Sequence, residues 1–163
     1  IIPEPIRDAR GFFARTFCVN ELAGHGLETN FVQHSASVSN RKGTLRGMHF
    51  QTEPHGEVKI VTCIHGAILD VIIDLRPNEP TYRQWQAFEL TEDNRHRLYI
   101  PKGFAHGFQT LTDDVELSYL ISEFYQPSAS TGVRYDDAAF SIKWPLPVSV
   151  ISEKDRSWPD FQD

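Results

Sequence analysis

The sequence predicts an all-β fold, a jelly-roll β-sandwich formed as a single domain, and three observations predict it. Short runs with period-two alternation recur along the chain, clusters of turn residues separate them, and helical periodicity is nearly absent. At 163 residues and 18.6 kDa the chain has room for one domain with a sizeable core and none for two. The turns are irregular in length, which favours two sheets folded face to face over an up-and-down barrel. An immunoglobulin-like sandwich is set aside because no Trp lies between Cys18 and Cys63.

Taken in order, residues 1 to 6 read as a short N-terminal strand, with Pro3 and Pro5 suited to an edge. Residues 19 to 23 can form a helical turn. Alternation then predicts strands over 30–38, 44–51, 57–63, 67–75, 84–90 and 115–122. The intervening segments carry turn chemistry: Asn40-Arg41-Lys42-Gly43, Pro54-His55-Gly56, His65-Gly66, Arg76-Pro77-Asn78-Glu79-Pro80 and Thr91-Glu92-Asp93-Asn94. The tail after Trp144 can form a second helical turn.

Composition narrows the function classes. Apolar residues make up 40% and charged ones 23%, with 11 Phe, 5 Tyr and 3 Trp, so a disordered or collagen-like chain is excluded. The formal charge of −6 is opposite to the basic footprint of a nucleic-acid binder, so an anionic ligand must be met locally. Cys18 and Cys63 have no metal-ligand or redox spacing and read as free thiols in a reducing compartment. The longest apolar stretch, 67–75, is broken by Asp70 and Asp74 and is far too short for a membrane span. A cytoplasmic protein that engages neither nucleic acid nor membrane is the resulting expectation.

Several strands place polar groups where a core is expected. In 115–122, Val115, Leu117, Tyr119 and Ile121 share a face, so Tyr119 points into the apolar interior and its hydroxyl needs a partner. Leu45, Gly47, His49 and Gln51 share a face of the run over 44–51, and Gly47 would leave open space beside the imidazole. Glu57, Lys59, Val61 and Cys63 share another. Alternation leaves two readings of Lys59 open: an inward ammonium among apolar groups, or an edge lysine guarding against sheet pairing. Phe104, His106 and Phe108 alternate inward. His49, Lys59, His106 and Tyr119 inside one small sandwich are too many polar groups for a plain core, and together they suggest a pocket.

The stretch from Gly43 to His49 and the Pro101-x-Gly-x-x-His106 stretch resemble cupin motifs. Metal-binding cupins carry a second histidine two positions after the first, where this chain has Gln51. That leaves His49 and His106, with Glu53 or His55 as improvised ligands, short of the set a stable metal site takes. The reading is a metal-free relative.

Four longer motifs sharpen the resemblance: Asp8-Ala9-Arg10-Gly11-Phe12-Phe13; Thr44-Leu45-Arg46-Gly47-Met48-His49-Phe50-Gln51; Ile100-Pro101-Lys102-Gly103-Phe104-Ala105-His106-Gly107-Phe108; and Asp136-Asp137-Ala138-Ala139-Phe140-Ser141-Ile142-Lys143-Trp144-Pro145. In this order, over about residues 1 to 155, they resemble the dTDP-4-dehydrorhamnose 3,5-epimerase family of cupins. The resemblance implies inversion of C3, C5 or both in a nucleotide-diphospho-4-keto-6-deoxyhexose, with dTDP as carrier and no metal or organic cofactor. The product would serve deoxysugar biosynthesis for lipopolysaccharide or another cell-surface polysaccharide. It further implies His49 as general base, Asp155 as the carboxylate orienting it, Lys59 as the ammonium that steadies the enolate, and Tyr119 as the opposing proton donor. Arg10, Phe13, Gln33, Arg46, His106 and Tyr125 match positions lining the family's substrate site, with Arg46 facing the diphosphate. A homodimer is also implied, with the N-terminal strand, here partly cropped, crossing to the partner so that Arg10 and Phe13 complete the neighbouring site. The C-terminal tail from about residue 146 would close the site.

The chain departs from the family pattern in four places: Arg15 replaces Glu, Ser35 replaces Asn, Thr62 replaces Arg, and the turn before Gly43 is one residue longer. Strict alternation also puts Arg46 and His49 on opposite faces, so either a bulge intervenes or Arg46 serves a neighbouring subunit. The rival readings are a sugar 3,4-ketoisomerase of the same fold, a catalytically silent sugar-nucleotide-binding cupin, and a metal-dependent cupin dioxygenase.

Overall fold

The computed structural model describes residues 1–162, and its secondary structure is nearly all strand. A short hairpin, β1 (Ile6–Asp8) and β2 (Gly11–Phe13), precedes helix α1 (Val19–Gly24). Then come β3 (Gln33–Ser39), β4 (Leu45–Gln51), β5 (Lys59–His65), β6 (Ala67–Asp74) and β7 (Trp85–Thr91). The series continues with β8 (Arg97–Ile100), β9 (Phe104–Thr110), β10 (Val115–Ile121), β11 (Ser130–Gly132) and helix α2 (Glu153–Arg156). Besides the hairpin there are two sheets, ordered β3-β10-β5-β8 and β11-β4-β9-β6-β7, with antiparallel neighbours throughout.

The two sheets face each other across one apolar core. The four-stranded sheet contributes Val61, Cys63, Val115 and Leu117; the five-stranded sheet answers with Ile68, Ile72, Leu90 and Phe108. The back of the five-stranded sheet is covered as well: Met48, Val71, Ile73 and Ala105 pack with Val133 and Phe140. Burial on both faces explains why β6 reads as a near-continuous apolar run rather than a clean alternation. Asp70 lies between Ile68 and Ile72 on this strand, fully buried.

The C-terminal tail is pinned at successive points. The buried Gln109 side chain donates to the Leu146 carbonyl at 2.9 Å and accepts from the Leu146 amide at 3.0 Å. The Ser149 amide then donates to the Gly43 carbonyl, and the Leu45 amide to the Val150 carbonyl. Asp137 accepts from the Phe161 amide and holds the far end. α2 is thereby delivered to β4.

The six alternation-predicted strands are all present within a few residues of their expected bounds, as are both helical turns. The N-terminal expectation is corrected: residues before Ile6 form no strand, although Ile1 exchanges two backbone hydrogen bonds with Arg97, and the strand lies at β1. β2, β8 and β11 lie outside the expected strands, and β9 is foreshadowed only by the inward alternation of Phe104, His106 and Phe108. β8 and β11 are only four and three residues long, and too few positions are available to show a period.

Asp74 closes β6 inside a small ionic cluster. Hydrogen bonds from Arg76 hold its carboxyl down at about 2 against the opposing effect of burial, and Thr81 adds another. A folded-state value below the ordinary one, roughly 4, means that stability is complete above about pH 4 and is lost as pH falls toward 2. Asp74→Asn should therefore be less stable than the parent at pH 7, and urea titrations should show the gap closing between about pH 4 and pH 2.

Candidate active site

β4 and β9 do not pair in continuous register. Arg46 lies opposite Phe108 and His49 opposite His106, so three steps on β4 match two on β9. The extra residue is a bulge, and it turns Arg46 and His49 to the same side while Met48 is buried in the outer core. Of the two explanations open from sequence, the bulge is the one realised. The expectation that Gly47 leaves open space is overturned. A Cβ there would sit 2.5 Å from the Gly107 Cα, so the absent side chain lets two backbones touch.

His49 is half-exposed and its Nε2 lies 2.6 Å from Oδ1 of Asp155, which is nearly buried. The other carboxylate oxygen of Asp155 accepts from the Gly47 amide at 3.2 Å. Ser152 caps α2 by accepting from the Asp155 amide at 3.0 Å, which fixes the carboxylate's approach. Burial pushes the Asp155 carboxyl up, but the hydrogen bond and charge of His49, with the Gly47 and Ser152 bonds, outweigh it and leave the group below its ordinary value. Asp155 is thus a carboxylate at neutral pH, turned onto one ring nitrogen and free to hold the tautomer of His49.

Lys59 is on an interior strand, with Ile121 of β10 on one side and Ile100 of β8 on the other. The edge reading is excluded. Its ammonium lies 2.6 Å from a Glu57 carboxylate oxygen, with both side chains largely buried. Tyr119 packs against the core and its hydroxyl shares a 3.1 Å hydrogen bond with Ser37. Burial pushes the phenol well above its usual value, so it carries its proton across the neutral range. His106 is buried, its Nε2 2.5 Å from Asp70 Oδ1, and its ring meets that of Tyr119 edge-on at 6.5 Å.

These groups surround two connected spaces. A hollow of about 280 Å³ is lined by Ser35, Ser37, His106 and Tyr119, and a cleft of about 570 Å³ by Gln33, Glu57, Tyr125 and Asp155; Arg46, His49 and Lys59 line both. Eight of the ten predicted site residues therefore converge. Arg10 and Phe13 do not: both lie on the exposed β1-β2 hairpin, with Arg10 paired to Asp8 and Phe13 beside a separate hollow. Sequence reasoning missed Glu57, Asp70 and Lys154 as site residues. Asp70 had a signal, a carboxylate inside an apolar run; Lys154, which lines the cleft and lies 5.4 Å from the Trp158 ring, had none. Among the described residues, no group of three or more His, Cys, Asp or Glu converges as metal ligands. Cys18 and Cys63 are free thiols.

An imidazole oriented by a carboxylate, a phenol holding its proton, and an ammonium facing the same space can together move a proton and stabilise the negative charge left behind. Comparison with known proteins points the same way. Residues 1–163 match the family model described as dTDP-4-dehydrorhamnose 3,5-epimerase. The dTDP-4-dehydrorhamnose 3,5-epimerase of Methanothermobacter thermautotrophicus is 44% identical over 167 residues, spanning 100% of this chain and 89% of that protein. The crystal structure of the Bacillus anthracis dTDP-4-dehydrorhamnose 3,5-epimerase, with TDP and PPi bound, is similar at a TM-score of 0.95 and 39% identity, covering 98% of this chain and 91% of that one. A 3′-monoepimerase from Streptomyces bikiniensis in complex with dTDP-quinovose is similar at a TM-score of 0.89 and 30% identity, covering 98% and 80%.

The Gly47–Gly107 contact yields a test of how the site is built. Gly47→Ala must separate β4 from β9, because the atom its Cβ meets is backbone, and the residue also has a φ of 137° that disfavours a side chain. The substitution should cost about 2–3 kcal/mol in chemical denaturation, and in the folded fraction the His49 ring resonances should shift as the His49–Asp155 contact is lost.

Proposed function

The chain belongs to the dTDP-4-dehydrorhamnose 3,5-epimerase family, and on that premise we propose that it inverts C3, C5 or both in a nucleotide-diphospho-4-keto-6-deoxyhexose carried by dTDP. The observation that carries the reading is the His49–Asp155 pair at 2.6 Å on the wall of a space that Tyr119 and Lys59 also line. His49 removes the proton from a carbon beside the C4 ketone, and the C–H electron pair moves into a carbon–carbon double bond as the carbonyl oxygen becomes an enolate. Lys59 stabilises that oxygen. Tyr119 returns a proton to the opposite face and is itself reprotonated from solvent, while His49 gives up its proton to water. Asp155 keeps His49 in the accepting tautomer and favours the imidazolium once formed.

Arg46 is the diphosphate contact in this reading. Its guanidinium lines the cleft and is braced by the Ser39 hydroxyl at 3.1 Å and the Val38 carbonyl at 2.7 Å, which leaves further donors for phosphate oxygens. Gln33 and Tyr125, joined through the Tyr125 amide and the Gln33 side chain, form the cleft wall together with β10. His106 backs the sugar end. The tail beyond residue 146 supplies Val150, Ile151 and Ser152 to the cleft and so covers it. The setting is cytoplasmic deoxysugar biosynthesis; no helix among the described residues is long and apolar enough to cross a membrane.

The hairpin belongs to a homodimer in this proposal. Ile6, Phe12 and Phe13 are exposed on it, and burying them against a second copy would remove an apolar surface from water while bringing Arg10 to the partner's cleft. Sedimentation at micromolar concentration should give a dimer. A fully active monomer would refute both the exchange and the role of Arg10 and Phe13.

Incubation with dTDP-4-keto-6-deoxyglucose in heavy water tests the reaction. Deuterium at C3 and C5 marks double epimerisation, deuterium at one carbon a monoepimerase, and none with this substrate defeats the proposal. His49→Asn should abolish exchange and inversion together. Tyr119→Phe should lower inversion far more than exchange, because His49 still removes the proton, trades it with solvent and returns it to the same face. Both processes are read by NMR in one tube, and inversion at the parental rate would remove Tyr119 from the mechanism.

A further inference from the structure

Glu57 lines the cleft with its carboxylate directed at a lysine, where an anionic ligand is to be bound. A carboxylate that merely lined such a cleft would repel a diphosphate. Its contact gives it another purpose. The Lys59 ammonium lies 2.6 Å from Glu57 Oε1, and the side chains are 12% and 11% exposed. Val58, between them, is locked to Ser122 through its amide, which donates to the Ser122 hydroxyl at 2.8 Å, and its carbonyl, which accepts from the Ser122 amide at 3.0 Å. The pair is therefore anchored at its backbone.

The charged and titratable groups facing Lys59 come from five other places: Arg46 and His49 from β4, His106 from β9, Tyr119 from β10, Tyr125 from the loop after β10, and Asp155 with Lys154 at the cleft rim from α2. Arg46 and Lys154 are cations and disfavour a third. Asp155 is turned onto His49 and the Gly47 amide, and Asp70 onto His106. Glu57 is thus the carboxylate that Lys59 touches, and an opposite charge within about 4 Å is what keeps a desolvated ammonium charged. One ammonium donor is taken by Glu57, which fixes the side chain and leaves its other donors for the hollow.

We infer that Glu57 is a positioning residue for the reaction: through Lys59 it holds a charged ammonium over the space that His49 and Tyr119 share. The inference rests on the proposed role of Lys59 toward the enolate. It has an internal signature, since Glu57 helps turnover through Lys59 and hinders binding of the anionic ligand through its own charge.

The test is Glu57→Gln, which keeps shape and one acceptor and removes the charge. Expected are a kcat lower by about tenfold or more at pH 8, an alkaline limb of the kcat profile moved to lower pH, and dTDP bound about threefold more tightly by calorimetry. Glu57→Asp should restore part of the lost kcat. Independently of turnover, lysines are labelled as 13C-dimethylamines and the resonance absent from Lys59→Arg is titrated in the free protein; its midpoint should fall in Glu57→Gln. A Glu57→Gln protein whose alkaline limb and Lys59 titration both match the parent overturns the inference. Should that variant not fold, Glu57→Asp carries the same comparison with a smaller shift, and no shift there overturns it equally. Failure of the parent to exchange deuterium would instead defeat the reading of the reaction, and the lysine titration would still decide what Glu57 does to Lys59.

Discussion

One extra residue in β4 is the constraint on which the site depends. Without the slip between Arg46 and His49, a strand paired to β9 would send one of these side chains into the hollow and the other into the outer core. The slip instead buries Met48 behind the sheet and aims both side chains at one space. It also brings Gly47 onto Gly107 at a distance no side chain allows, and leaves the Gly47 amide to donate to Asp155. The strand that carries the proposed base is thus shaped by the same contact that receives the base's carboxylate.

The interior polar groups follow a common rule. Three ionisable side chains in the hollow each meet a carboxylate: His49 with Asp155, Lys59 with Glu57, His106 with Asp70. Burial of any one alone would be costly, and pairing lets a sandwich core tolerate three such groups beside one phenol. The surfaces left over for a ligand are cationic, from Arg46, Lys59 and Lys154. A chain with a formal charge of −6 can meet an anion there because attraction is local and partly shielded from solvent.

Asp155 is 106 residues from His49 along the chain, and its arrival depends on the tail being tied down. Gln109 clamps Leu146, β4 receives Val150, and Ser152 opens α2 one turn before the carboxylate. The same tail supplies Phe161 to the outer core of the five-stranded sheet, where Phe140 and Trp144 precede it. Stability and site assembly are therefore coupled through one segment, which packs on one face of the sheet and closes the cleft at its end.

Local pattern determined much of this protein. Alternation marked six strands, least clearly β6, which is buried on both faces, and it placed Tyr119 inward because that strand is regular. The order of four motifs identified the family and, through it, eight side chains that do converge. Other features escaped because no local pattern encodes them. Alternation could not choose between an interior and an edge position for Lys59; pairing with β8 and β10 decided it. It could not place the bulge, since a slip exists only relative to the partner strand. It assigned Gly47 an open space that the backbone of Gly107 fills. The chain by itself thus determined which residues are available and which way regular strands turn them. The tertiary structure decided which carboxylate meets which cation, because each of those meetings depends on a strand register or on where a distant segment is anchored.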